Sequence, residues 1–179
     1  CVMNTPFLAR ARALFPDARI VALGRKNVAG LLEHHPHVDE VWTIDDKSRG
    51  GRLEAVARLR ALRADLGFLL PNSLNSALLF WRAGVPVRVG YARDARRMLL
   101  THPVPLRPEN LAVHEVEYYL NLLRPWQPQR QDPPPLRLSV THEERDAMAD
   151  WLAHENITPD TFTIGVNPAA FFGTAKRWL

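Results

Sequence analysis

Residues 67–91, GFLLPNSLNSALLFWRAGVPVRVGY, decide the fold. Gly67 to Pro71 is an unbroken apolar run, the pattern of a strand covered on both faces in a parallel sheet. Asn72 and Ser73 mark a helix start and Gly84 its end. VPVRVGY, residues 85–91, then supplies the next strand, so the stretch reads as one β-α-β unit.

The same alternation extends toward the N-terminus. In RLEAVARLRALRADL, residues 52–66, Ala55, Leu59, Leu62 and Leu66 fall at i, i+4, i+7 and i+11. Glu54, Arg58, Ala61 and Asp65 occupy the opposite side, which predicts a helix with one buried and one wet face. VDEVWTI (38–44) and ARIVAL (18–23) read as strands. DDKSRGG (45–51) is a polar loop, NVAGLLEHH (27–35) a helix closed by Pro36, and Thr5 to Leu14 a further helix. Strands and helices joined by short connections predict an α/β, Rossmann-like, doubly wound parallel sheet over residues 1–125.

Toward the C-terminus, residues 93–108 are irregular and basic, and HEVEYYLNLLRPW (114–126) is a helix stopped by Pro125. QPQRQDPPPLRL (127–138) has no apolar periodicity and reads as a semi-rigid linker. THEERDAMADWLAHENI (141–157) opens with a Thr141-to-Glu144 capping box, and FTIGVNP (162–168) is a fresh strand. Residues 126–160 are thus a linker and connecting helix, and residues 161–179 the first strand and turn of a second α/β domain.

Composition excludes several classes. A chain of 179 residues with 46% hydrophobic and 23% charged content is that of a soluble globular protein. The formal net charge of +4 favours anionic partners. No aromatics interleave with the basic residues as a stacking platform requires, which argues against nucleic acid. Cys1 is the sole cysteine, so neither a disulfide nor a cysteine-based metal site is expected. No apolar run reaches the roughly 20 residues of a membrane span, so any membrane contact is expected to be peripheral. His34, His35 and His37 lie at a helix end beside Pro36, where a cation complements the helix dipole, and no metal site is expected there. Trp81, Trp151 and Tyr118 sit at helical positions and are expected in the core.

A loop leaving a parallel strand at its C-terminal end is where open α/β sheets bind ligands. AAFFGTAKRW, residues 169–178, has that position. Gly173 allows close backbone approach, Thr174 offers a hydroxyl, and Lys176 offers a point charge to a phosphate. The Gly and Lys spacing of a Walker A loop is absent, and an ordinary strand-to-helix turn with surface cations is the competing reading.

GVNPAAFFGTAKRW (165–178), taken with LLPNSLNSALLFWRAGVPVRVGYARDARRMLLTHPV (69–104), resembles the ADP-heptose:lipopolysaccharide heptosyltransferases, glycosyltransferase family 9. The resemblance runs through essentially the whole chain, with Ala169 standing where the family more often has Gly. It implies the N-terminal, acceptor-holding half of a two-domain glycosyltransferase B fold, truncated at both ends. On that basis the catalytic general-base Asp is expected ahead of Cys1, and Gly173, Thr174 and Lys176 are implied to contact the donor diphosphate. The implied donor is ADP-L-glycero-D-manno-heptose, with no metal or other cofactor. The implied acceptor is the anionic heptosyl-Kdo-lipid A inner core, at the cytoplasmic face of the inner membrane.

Two basic loops are the candidates for acceptor recognition: Lys47, Arg49 and Arg52 after one strand, and Arg93, Arg96 and Arg97 after another. Arginine forks suit the carboxylates and phosphates of such an acceptor, and solvated surface charge is the alternative. Asn72 and Ser73 are assigned with them as acceptor-binding. The piece alone is expected to be inactive and, lacking a central strand, prone to aggregate. Another nucleotide-sugar-dependent two-domain transferase or epimerase, or a non-catalytic anion-binding module, remains open at this point.

Overall fold

The structure is a computed structural model that describes residues 1–93 and 95–166. Twelve labelled elements follow in chain order among them: α1 (Thr5–Leu14), β1 (Val21–Gly24), α2 (Lys26–Ala29), β2 (Glu40–Thr43), α3 (Arg49–Leu62) and β3 (Leu66–Leu69), then α4 (Leu74–Ala83), β4 (Val87–Tyr91), β5 (His102–Val104), α5 (Pro108–Leu111), α6 (Glu115–Leu120) and α7 (His142–His154). The chain divides into two compact units, one ending at Ser139 and one starting at Val140.

The β3-α4-β4 unit forms for the reasons its sequence suggests. The Ser73 hydroxyl caps α4 by accepting the Ser76 amide, and Gly84 ends it in the left-handed region at φ 79°. β3 and β4 then pair in parallel with Leu66 opposite Val87 and Leu69 opposite Gly90. β5 adds to the far side of β4, also in parallel, with Val89 opposite His102. This third strand lies in the stretch expected to be irregular. It is short and contains Pro103, which a strand tolerates only where that residue's missing N–H is not needed, as at an edge.

All observed pairings are parallel, yet they form two ladders, β1-β2 and β3-β4-β5, where one continuous sheet was expected. Helices on both sides hold the ladders in the same layers. Ala22 and Val41 of the first ladder and Phe68 and Val104 of the second pack on a cluster built by Phe7, Leu8 and Ala11 of α1 with Tyr91, Leu122 and Leu123. Leu23 and Trp42 point the opposite way, into Ala55 and Leu59 of α3 and Leu79 and Ala83 of α4. Full burial of each such leucine contributes roughly 1.5–3 kcal/mol, so the two clusters account for much of the cohesion.

Several boundaries differ from the sequence expectation. α3 starts at Arg49, inside the stretch expected to be loop, because the Ser48 hydroxyl accepts the Gly51 amide and caps it. α2 is one turn long, and His35 lies buried instead of presenting a cation to a helix end. Residues 127–138 are docked on the first unit: Arg10 donates to the Gln131 side chain and the Asp132 carbonyl, and the Arg137 amide donates to Thr5 Oγ1. Trp126 meets Phe15 and Phe68 edge-on, which anchors the start of this segment in the apolar layer.

In the second unit, the Thr141 and Glu144 capping box of α7 forms as expected. Residues 162–166 carry no strand pairing among the described residues, so the expected strand is absent there. Trp81 and Trp151 are 50% and 53% exposed, against the expectation of core positions, whereas Tyr118 is half-buried against the first cluster. Trp81 sits beside the buried stripe of α4, which periodicity alone does not separate from its flank, and Trp151 lies on α7, where no residue is buried.

Candidate functional site

Because the strands within each ladder are parallel, β1 and β2 release their following loops at one edge of their ladder, and β3 and β4 at one edge of theirs. Loop 45–48 after β2 is built on carboxylates. Asp45 Oδ1 accepts the Lys47 and Ser48 amides at 3.1 and 3.3 Å, and Asp46 receives both forks of Arg25 at 2.7 Å. The Ser48 hydroxyl and these backbone amides hold the Asp45 carboxyl below the usual carboxylate range, and the Arg25 hydrogen bond does the same for Asp46. Arg52 donates to the Asp46 and Lys47 carbonyls at 3.0 and 2.7 Å, closing the loop onto the first turn of α3. Gly51 is required at that turn: a Cβ there would overlap the Asp45 carbonyl oxygen.

The loops after β3 and β4 are joined through Arg96. Its side chain is fully buried. Nε donates to the Tyr91 carbonyl at 2.8 Å, Nη1 to the carbonyls of Pro71 and Ser73, and Nη2 to the Leu69 carbonyl at 3.3 Å. Gly90 leaves the space for this guanidinium, since a Cβ there would lie 2.5 Å from Nη2. Arg96 was expected among the acceptor-binding residues, and this placement corrects that: its donors are spent on main-chain acceptors inside the fold. It is a positioning residue for the 70–73 loop.

An aromatic and amide cluster backs the same loop. Tyr91 and Tyr118 stack at 4.2 Å between ring centroids, and the Tyr91 hydroxyl donates to the Tyr118 carbonyl at 2.5 Å. Asn121 Nδ2 donates to the Tyr91 hydroxyl at 3.1 Å, and burial pushes the Tyr91 phenol up to about 12. Asn72 Nδ2 donates to the Tyr118 hydroxyl at 2.6 Å, while Asn72 Oδ1 is buried with no hydrogen-bond donor in the structure. A buried carbonyl oxygen of this kind can accept from a hydroxyl brought in by a ligand.

The expected site residues therefore fall into groups. Lys47, Arg49, Arg93 and Arg97 are exposed on or beside the loops after β2 and β4. Arg52 and Arg96 serve the backbone of those loops, and Ser73 caps α4. Gly173, Thr174 and Lys176 lie outside the described residues. Sequence reasoning missed Arg25, Tyr91, Tyr118 and Asn121. Gly90 next to Tyr91 was the available signal, since a glycine inside a strand often marks the close approach of another group. Among the described residues no group of His, Cys, Asp or Glu is disposed to hold a metal ion, and no helix is long and apolar enough to cross a membrane.

Residues 52–179 match the profile of glycosyltransferase family 9 (heptosyltransferase). The chain is 32% identical to lipopolysaccharide heptosyltransferase 2 of Escherichia coli K12 over 189 aligned positions, covering 99% of this chain and 53% of that protein. The same enzyme of Salmonella typhimurium LT2 is 30% identical, with equal coverage. Among solved structures, a glycosyl transferase family 9 protein of Veillonella parvula superposes with a TM-score of 0.86 at 21% identity, over 99% of this chain and 52% of that one. The Escherichia coli ADP-heptose lps heptosyltransferase II structure gives 0.78 at 29% identity, over 99% and 54%. The chain spans about half the length of these relatives.

Proposed function

The chain belongs to glycosyltransferase family 9, the heptosyltransferases, and from that premise we propose that it forms the acceptor-side half of an enzyme of lipopolysaccharide assembly. The reaction is transfer of L-glycero-D-manno-heptose from ADP-heptose to the heptosyl-Kdo-lipid A inner core, at the cytoplasmic face of the inner membrane. One observation supports the acceptor assignment: Lys47, Arg49, Arg93 and Arg97 are exposed just after β2 and β4, and open α/β sheets bind ligands beyond the C-terminal ends of their strands. Arginine forks match the phosphates and carboxylates of an inner-core saccharide. Asn72 Oδ1, buried without a donor in the loop after β3, is proposed to accept a sugar hydroxyl.

Inverting transfer needs a carboxylate to take the proton from the acceptor hydroxyl as its oxygen attacks the anomeric carbon, and cations to stabilise departing ADP. Asp45 and Asp46 do not serve as that base. Both carboxyls are held below the usual range, with Asp45 Oδ1 taking two backbone amides and both Asp46 oxygens taking Arg25. On the donor side, Gly173, Thr174 and Lys176 are proposed to hold the diphosphate, with the Lys176 ammonium supplying the charge. No metal enters the proposal.

The acceptor assignment is tested by titrating the chain with deacylated, phosphorylated inner-core oligosaccharide. Arg93→Glu with Arg97→Glu is expected to weaken binding at least about tenfold, since two cations are replaced by two anions. Unchanged affinity in that variant ends the assignment. Competition among ADP, UDP and GDP in a chimera carrying the remaining half of the Escherichia coli relative tests the donor, with ADP expected to compete best.

A further inference from the structure

α3 carries a second stripe, distinct from the one it buries. Ala55 and Leu59 face the core, whereas Arg49, Leu53, Val56, Ala57 and Arg60 recur at i, i+4, i+7, i+8 and i+11 on another side of the helix. There the stripe meets the outer face of α4. Leu53, Val56, Ala57, Arg60, Trp81 and Arg82 line an open groove of about 490 Å³. Leu53 and Trp81 are 57% and 50% exposed, so two large apolar side chains stand in water at the groove. Arg60 Nη2 donates to the Arg82 carbonyl at 2.7 Å, which fixes the groove's cationic end.

The charge around this groove has one sign. The charged residues that line it are Arg60 and Arg82, Arg49 stands at the start of the same stripe, and no acidic residue is among the lining; Arg52 and Arg58 lie off it, bound to the 46–47 carbonyls and stacked on Trp42. Glu54 sits about 100° round the helix from Leu53, off the stripe. An exposed apolar patch rimmed by polar groups marks a contact surface, and a rim of arginine with tryptophan at its centre matches the headgroup zone of an anionic bilayer. Arginine stems lie along the apolar floor while their guanidinium groups reach lipid phosphates. A second copy of this chain fits poorly, because a two-fold contact would bring Arg60 and Arg82 against their own counterparts.

We propose that the α3-α4 groove centred on Leu53 and Trp81 docks on an anionic lipid surface. The stripe begins at Arg49, beside the loop that carries Lys47, so docking sets the candidate acceptor edge next to the membrane plane. The groove stands on its own patch chemistry, independent of the acceptor assignment.

Flotation with vesicles lacking any saccharide acceptor tests it, because bound protein rises and aggregated protein sinks. The chain is expected to float with phosphatidylglycerol-containing phosphatidylcholine vesicles, to stay down with phosphatidylcholine alone, and to be released by salt. Arg60→Gln with Arg82→Gln is expected to weaken binding about thirtyfold, and Leu53→Ser with Trp81→Ser about tenfold. Unchanged far-UV circular dichroism and thermal midpoint in both variants confirm that folding is not the cause. Flotation that is equal on neutral vesicles, or equal in the variants, overturns the proposal. So does a concentration-dependent dimer that Trp81→Ser abolishes, which would give the groove to a second copy.

Discussion

The two basic loops that follow β2 and β4 look alike as sequence and are built in opposite ways. In 45–52 the loop is shaped by acids: Asp45 gathers backbone amides, Asp46 grips Arg25, and the cations Lys47 and Arg49 are left in solvent. In 91–97 a base does the shaping, with Arg96 drawn inside to gather backbone carbonyls while Arg93 and Arg97 stay exposed. The difference teaches that a cluster of cations does not reveal which member is structural. That depends on whether carbonyls or amides are left unpaired at the loop it belongs to.

The sharpest way to break this contrast is Arg96→Met. It leaves carbonyls of Leu69, Pro71, Ser73 and Tyr91 short of donors inside the fold. The expected loss is about 3–5 kcal/mol in urea unfolding, against about 1 kcal/mol for Arg52→Met, whose partners are reached by water. Equal losses would erase the distinction between the loops. Next comes Gly51→Ala, which drives a methyl into the Asp45 carbonyl and is expected to cost about 1–3 kcal/mol. Gly50→Ala, where a Cβ meets nothing within 4 Å, should instead be neutral or stabilise by about 0.5–1 kcal/mol.

His35 sharpens the same question for a buried base that is better off neutral. Burial, then the charges of His37 and Arg137, lower its pKa from the ordinary 6.5. Its Nδ1 accepts the His37 amide at 3.3 Å, a lone pair that protonation would consume. The unfolded chain therefore binds the proton more readily, so the stability from His35 is complete above about pH 6.5 and is lost as pH falls through that value. The thermal midpoint should drop between pH 7.5 and about 5.5, and His35→Gln should flatten the decline, the remainder belonging to His37. A profile identical in both proteins would remove His35 from the account. The smallest stability effect is expected for Arg93→Glu with Arg97→Glu, within about 0.5 kcal/mol, because both side chains are exposed.

Much of the fold is legible in the chain's own punctuation. Thr5 to Leu14 emerges as α1 with those bounds, Ser73 and Gly84 bracket α4, and Thr141 with Glu144 opens α7. β5 and the early start of α3 are harder to read, since three residues with a proline make a weak strand signal and a Gly-Gly pair argues against a helix. The candidate site is legible in type and only partly in membership. Lys47, Arg49, Arg93 and Arg97 are exposed after β2 and β4, but Tyr118 comes from α6, 46 residues beyond Asn72, and reaches the 70–73 loop only through packing, while Asn121, just past α6, reaches Tyr91.

By itself the sequence determined the order and type of most elements through β4 and the parallel α/β plan. These rest on local quantities: side-chain period, capping hydroxyls and glycines at turns. Only the tertiary structure decided that Arg96 turns inward, that Trp81 faces out over a cationic groove, and that the Pro-rich stretch is docked against α1. Each of those depends on which backbone groups and apolar surfaces are left unsatisfied once distant segments meet, and a local pattern carries no record of that.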